Sequence, residues 1–228
     1  MSEPPKNEAE AWRKVTDQFE DRKVEFGQHW SFNIFNDPKR LAFVLSRYKF
    51  AARIATKNRR VLELGCSEGL GGRLLAEFAQ SYTGIDLDEE AVAAARRNLT
   101  DPKYTFITGD FLGRRIGSFD SVISIDVIEH IEKPIEQEFF ETCHANLDED
   151  GTCVIGTPNL TAAAYASKAS QEGHVNLFDG DRLRTTLQKY FHNVFLFGLN
   201  DEVVHTGYTP MAHFLIAVGV YKKREPAA

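Results

Sequence analysis

The stretch Arg60-Val61-Leu62-Glu63-Leu64-Gly65-Cys66-Ser67-Glu68-Gly69-Leu70-Gly71-Gly72 decides how the rest of the chain is read. It opens as a short apolar run around one acid and stops at glycine, which predicts a buried strand breaking into a turn and then a helix. Glycine at such a turn lets the backbone come close to a ligand, because no Cβ blocks the approach. A phosphate-cradling P-loop would end in Gly-Lys-Ser/Thr, and that ending is missing. A dinucleotide fingerprint needs G-x-G-x-x-G, which fails at Ser67 when counted from Gly65 and at Leu74 when counted from Gly69. What remains is E-x-G-x-x-x-G, running from Glu63 through Gly65 to Gly69.

Outward from that turn, short apolar runs alternate with helical segments. The strand over 60–64 is followed by a helix to about Ala79, and further strands are predicted at Tyr82–Asp86, Tyr104–Thr108, Phe119–Ile125, Thr152–Gly156, Asn193–Gly198 and Phe214–Tyr221. Helices are predicted over Asp88–Leu99, Glu132–Leu147 and Asp181–Tyr190. This alternation predicts an α/β fold, a doubly wound Rossmann-like sheet of seven mostly parallel strands with helices on both faces. Ahead of it lies an N-terminal helical extension. Trp12, Val15 and Phe19 give a weak helical pattern over Glu10–Val24. Asn36-Asp37-Pro38 reads as a helix start with a capping side chain, followed by Leu41, Val44, Leu45, Tyr48 and Ala52 at helical spacing. The expected division is a disordered tail over 1–10, a helical lid over 11–57, one ligand-binding domain over 58–221 and a tail over 222–228. The 200–212 connection reads as a functional loop.

The length of 228 residues, with 43% hydrophobic and 26% charged, suits one domain with one sizeable core. No run of eighteen apolar residues appears, so no membrane span is expected, and the first residues lack a signal peptide's apolar region. Cys66, Cys143 and Cys153 show neither paired nor metal-like spacing, which fits a reducing cytoplasmic setting. The net charge of −6 argues against a nucleic-acid partner, although Lys39, Arg40, Arg47, Lys49, Arg53, Lys57, Arg59 and Arg60 crowd one stretch. That stretch reads as a solvated helix face from which one or two arginines could meet a carboxylate or phosphate.

The E-x-G-x-x-x-G turn resembles motif I of the class I S-adenosylmethionine-dependent methyltransferases. The resemblance puts Glu63, Gly65, Cys66, Ser67 and Gly69 against the methionine part of the cofactor. Asp86, with Leu87 beside it, closes the second strand 21 residues after Gly65, where a carboxylate can accept both ribose hydroxyls. In Thr108-Gly109-Asp110-Phe111 the family places an acid near the adenine amino group and an apolar side chain against the ring. A turn aspartate bonding its own backbone is the competing reading of Asp110. The F-D-x-V…EHI form of 119–131 puts Asp126 and Val127 over the cofactor. The surroundings are similar to the ubiquinone-biosynthesis O-methyltransferase branch, in whose N-P-x-R-L segment an arginine reaches the cofactor carboxylate. Arg40 and Arg47 compete for that role here.

The resemblance implies methyl transfer from S-adenosylmethionine to a small-molecule acceptor, most simply to a hydroxyl. Transfer to nitrogen on an amino sugar or natural product, and a non-catalytic cofactor-binding subunit, stay open as alternatives, as does a homodimer. Some ubiquinone-pathway enzymes hold a divalent metal with an acid and an acid–histidine pair three residues on. Asp126, Glu129 and His130 have that spacing, but Glu-His is frequent after this strand in metal-free relatives, so no metal ligand is assigned. In the C-terminal half, His174 and His205 are the expected catalytic bases, and His130, Asn176 and Tyr208 the expected acceptor contacts.

Overall fold

The computed structural model describes residues 7–17 and 23–224. Five strands run parallel: β1 (Arg60–Leu64), β2 (Ser81–Asp86), β3 (Tyr104–Thr108), β4 (Phe119–Ile125) and β5 (Leu147–Pro158). Three more complete the sheet: β6 (Phe191–Asn200), β7 (Val203–His205) and β8 (Phe214–Lys222), all in antiparallel pairings. The order is β3-β2-β1-β4-β5-β8-β6-β7. The sheet therefore has eight strands rather than the expected seven. The additional one is β7, cut from the 200–212 segment that reads as a loop. Asp201 adopts a left-handed backbone (φ 51°) and turns the chain so tightly that Asn200 pairs with Val203.

The central strands are buried on both faces, which is why they read as near-continuous apolar runs. Alternate residues go to opposite sides. Val61, Ile123 and Val154 join Tyr48, Ala51 and Ala52 of α3 (Lys39–Ala55) in one core. Leu62, Val122 and Ile155 pack on the other side with Phe139 and Phe140 of α6 (Glu136–Ala145) and Leu183 of α8 (Gly180–Gln188).

Several boundaries shift. The segment over 10–24 yields a helix at Glu8–Thr16, capped by the Asn7 side chain, so residues 8–10 are helical rather than part of a tail. The expectations for 1–6, for Phe19 and for 225–228 lie outside the described residues. A second helix (Gln28–Asn36) precedes α3, and α3 begins after Pro38 without the side-chain cap expected of Asn36 or Asp37. The helix after β1 is shorter than expected, Leu70–Leu75, and β5 is longer. A short helix at Lys168–Gly173 was not foreseen.

The connection from β1 leads to β2 on one side, and that from β4 leads to β5 on the other. Between them the carboxyl ends of β1 and β4 open a crevice, the usual ligand position in such sheets.

Candidate cofactor and acceptor site

A cavity of ≈ 400 Å³ fills this crevice. Its floor is the turn after β1. Gly65 is left-handed (φ 81°), and a Cβ there would lie 2.3 Å from Val127 Cγ2, so only glycine keeps that wall open. Ser67 and Asp126 also take left-handed backbones (φ 45° and 59°) and both line the cavity. Strain of this kind in non-glycine residues gathers at ligand sites. At the end of β2, Asp86 accepts the Ser67 N–H (2.7 Å) on one carboxylate oxygen and the Asp88 N–H (3.0 Å) on the other. These bonds fix its direction and leave lone pairs on each oxygen for a diol. Leu87, 66% exposed, forms an apolar lip beside it. Asp110 accepts the Leu112 N–H (2.9 Å), the turn reading of that residue, while still lining the cavity with Phe111. Such a site fits S-adenosylmethionine group by group: a bare glycine turn for the methionine, a carboxylate for the ribose, and an acid with apolar neighbours for the adenine.

The two arginines divide. Arg47 Nη1 donates to both oxygens of Asp126 (2.8 and 2.7 Å), and its guanidinium stacks 3.7 Å from the Phe214 ring centroid. It is consumed in the wall and does not line the cavity, whereas Arg40 does. Glu63 also lies off the cavity. It is buried in β1, where Tyr82 donates to one carboxylate oxygen and the other has no hydrogen-bond partner among the described residues. Burial pushes it up to about 7 against the pull of that bond. Gly69 caps the Leu70–Leu75 helix in a left-handed conformation and also stands outside the lining.

The cavity lining also carries imidazoles. His130 and His174 meet edge to face with centroids 5.1 Å apart, and His29 enters from the Gln28–Asn36 helix. Desolvation lowers the pKa of His29 and His174 below the usual imidazole value, so both are neutral at neutral pH. Glu129, 1% exposed, is driven upward by burial and then by the Asp126 charge.

Three expected acceptor-side residues sit elsewhere. Asn176 is fully buried, donating to Glu136 Oε2 (2.8 Å) and accepting from Arg182 Nη1 (2.9 Å), a structural tie. His205 Nε2 meets Asn200 Oδ1 (2.8 Å) across the β6–β7 hairpin. Tyr208 is 70% exposed and outside the cavity. Trp30, one of the N-terminal aromatic residues expected to close over the site, lines the cavity; His29 and Tyr48 were missed, because nothing local in 26–48 links them to the β1 turn. Glu68 was missed too; its carboxylate accepts the N–H groups of Gly27 (2.8 Å), His29 (2.8 Å) and Trp30 (3.3 Å) and so caps the Gln28–Asn36 helix from the turn.

The geometry has counterparts. Residues 61–151 match a methyltransferase domain family. The ubiquinone biosynthesis O-methyltransferase of Xanthomonas campestris pv. campestris (strain B100) is 32% identical over 135 residues, covering 57% of this chain and 53% of that protein. The chain spans about half the length of the curated relatives it matches. A TehB-like S-adenosylmethionine-dependent methyltransferase from Corynebacterium glutamicum shares the fold, with TM-score 0.60 and 19% identity over 94% of this chain and 96% of that one. So does the N-methyltransferase NodS from Bradyrhizobium japonicum in complex with S-adenosylhomocysteine, with TM-score 0.59 and 18% identity over 85% of this chain and 91% of that one. Over 61–151 the chain matches a methyltransferase domain, and its sheet order is shared with solved S-adenosylmethionine-dependent methyltransferases.

Proposed function

We propose that the chain transfers the methyl group of S-adenosylmethionine to a hydroxyl of a small-molecule acceptor. The observation that carries this reading is that one cavity is lined by cofactor-type residues and by neutral imidazoles together. Gly65, Asp86 and Asp110 are the cofactor-type residues of its lining, and His29 and His174 are the imidazoles that face the same space. Bound there, S-adenosylmethionine would supply an electrophilic methyl to the acceptor hydroxyl, leaving as S-adenosylhomocysteine, and the hydroxyl proton would pass to a base. The sulfonium supplies the driving force, so the chain's task is alignment and exclusion of water. Arg40 is placed to pair with the cofactor carboxylate. His29 and His174 are placed to take the proton. The helices over 28–55 act as the lid, since His29, Trp30, Arg40, Val44 and Tyr48 all face the cavity. The O-methyl reading is favoured over transfer to nitrogen by the sequence relatives, which are named as O-methyltransferases.

Calorimetric titration with S-adenosylhomocysteine tests the reading, beside Asp86→Ala. Micromolar binding is expected, weakened in the variant by about 1–3 kcal/mol, roughly ten- to a hundredfold. Folded protein that binds no S-adenosylhomocysteine sinks the proposal. Labelled methyl transferred to amines and never to hydroxyls would replace O- by N-methylation.

A further inference from the structure

We propose that the face of β6, β7 and β8 beside α3 is the contact surface of a homodimer, with a second copy of this chain as its occupant. The sheet is covered unequally at this end. On one side Leu183 and Leu187 of α8 share a core with Leu196 of β6. On the other side α3 lies over β4 and β5, and its flank reaches further through two side chains. Arg47 stacks on Phe214 of β8, and Phe50 meets Phe197 of β6 edge to face, with centroids 4.8 Å apart.

Beyond that flank the apolar surface continues into solvent. Phe195, two residues before Phe197 and so on the same face, is 54% exposed. Ile54, one turn after Phe50 on the same flank of α3, is 42% exposed. Val204 and Val220, on the face of Phe195, are only partly buried. Adjoining apolar side chains left open in this way mark a contact surface.

The charges around the patch say what covers it. At the cavity end of the sheet the β6–β7 turn exposes Asp201 and Glu202. At the opposite end stand Lys57, exposed in the connection after α3, and Arg59, which donates to the Asp120 carbonyl (2.9 Å) and to Thr152 Oγ1 of β5 (3.0 Å). One surface therefore holds acid at one corner and base at the diagonally opposite one. A two-fold axis lying in the contact plane, across that diagonal, sets each acidic turn against the basic corner of the second copy. A closed two-fold contact needs such self-complementarity, because the same patch serves both copies. An anionic membrane would call for a uniformly basic rim instead. Phe195 and Ile54 supply the apolar centre, and the corner charges fix the orientation. Arg40, Val44 and Tyr48 of α3 line the cavity, so the contact braces the helix that walls it. The inference does not rest on the methyl-transfer reading.

Sedimentation velocity of the full chain between about 1 and 100 µM tests the contact. A monomer–dimer equilibrium is expected, weakened at least about tenfold in Phe195→Glu. Val203→Glu puts the same charge on the other face of the hairpin and should dimerise as the wild type does. Glu202→Lys and Lys57→Glu should each weaken the dimer, and the double variant should restore it. Circular dichroism and melting temperature establish that each variant is folded. Wild-type protein that sediments as a monomer throughout overturns the contact. So does a dimer that Phe195→Glu leaves intact, since its interface would lie on another face. Single charge reversals that the double variant does not rescue overturn the two-fold arrangement.

Discussion

Arg47 and Asp126 show how a single residue pair can close a wall. The guanidinium is sandwiched between a carboxylate and the Phe214 ring, with side chains only 15% and 25% exposed. Arg47→Met should therefore cost about 1–3 kcal/mol in urea denaturation, because Asp126 is left charged and half-buried. Arg47→Met combined with Asp126→Asn should recover part of that loss, and a double-mutant cycle measures the coupling. Residue-level reading of the chain picks out cavity-lining residues where position along a strand decides placement. Gly65, Asp86, Asp110, Asp126 and Val127 all line the cavity because each stands at or just after a strand end on the same edge of the sheet. It failed where placement depends on distant partners. Asn176 answers to Glu136 and Arg182, and His205 to Asn200, none of which a local pattern can weigh.

At the scale of elements, the informative contact is Glu68 on the Gln28–Asn36 helix. One carboxylate accepts three amides at a helix start whose own cap residue, Gly27, offers no side chain. Glu68→Gln should lower stability by about 1–2 kcal/mol and speed amide exchange over 28–33, read by hydrogen-exchange mass spectrometry. A second joint is tighter. A Cβ on Gly71 would lie 2.1 Å from the Tyr48 ring, so Gly71→Ala must push α3 away from the Leu70–Leu75 helix. Overpacking of that order costs about 1–3 kcal/mol, and S-adenosylhomocysteine binding should weaken with it, since Tyr48 and Gly71 both face the cavity. Strand and helix types were legible from period and punctuation. The β6–β7 hairpin was not, because its turn rests on a left-handed aspartate rather than on glycine.

For the molecule as a whole, the buried acids set the response to pH. Glu63 is raised to about 7, mainly by burial, and Glu129 is raised by burial and by Asp126, with Arg47 and Thr157 pulling back. A carboxyl whose folded pKa is raised holds its proton in the native state while the unfolded chain has released it. Its contribution is complete below the unfolded value of about 4.5 and is lost as pH rises through the folded value. The lowered histidines, His29, His144 and His174, act in the opposite sense, since the unfolded chain takes up their protons first on acidification. The two fully buried acids should dominate, so the melting temperature of ligand-free protein should fall between pH 5 and pH 8. Glu129→Gln should flatten that slope, and scanning calorimetry across the range measures both.

Glu68 belongs to the turn after β1 whose residues Gly65 to Ser67 line the cavity, yet it holds the amino end of the helix that brings His29 to the same cavity. Filling the turn and steadying that helix are then one event, which imposes an obligatory sequence on turnover. The nucleoside enters first and leaves last. In steady-state kinetics S-adenosylhomocysteine should compete with S-adenosylmethionine and show mixed inhibition against the acceptor.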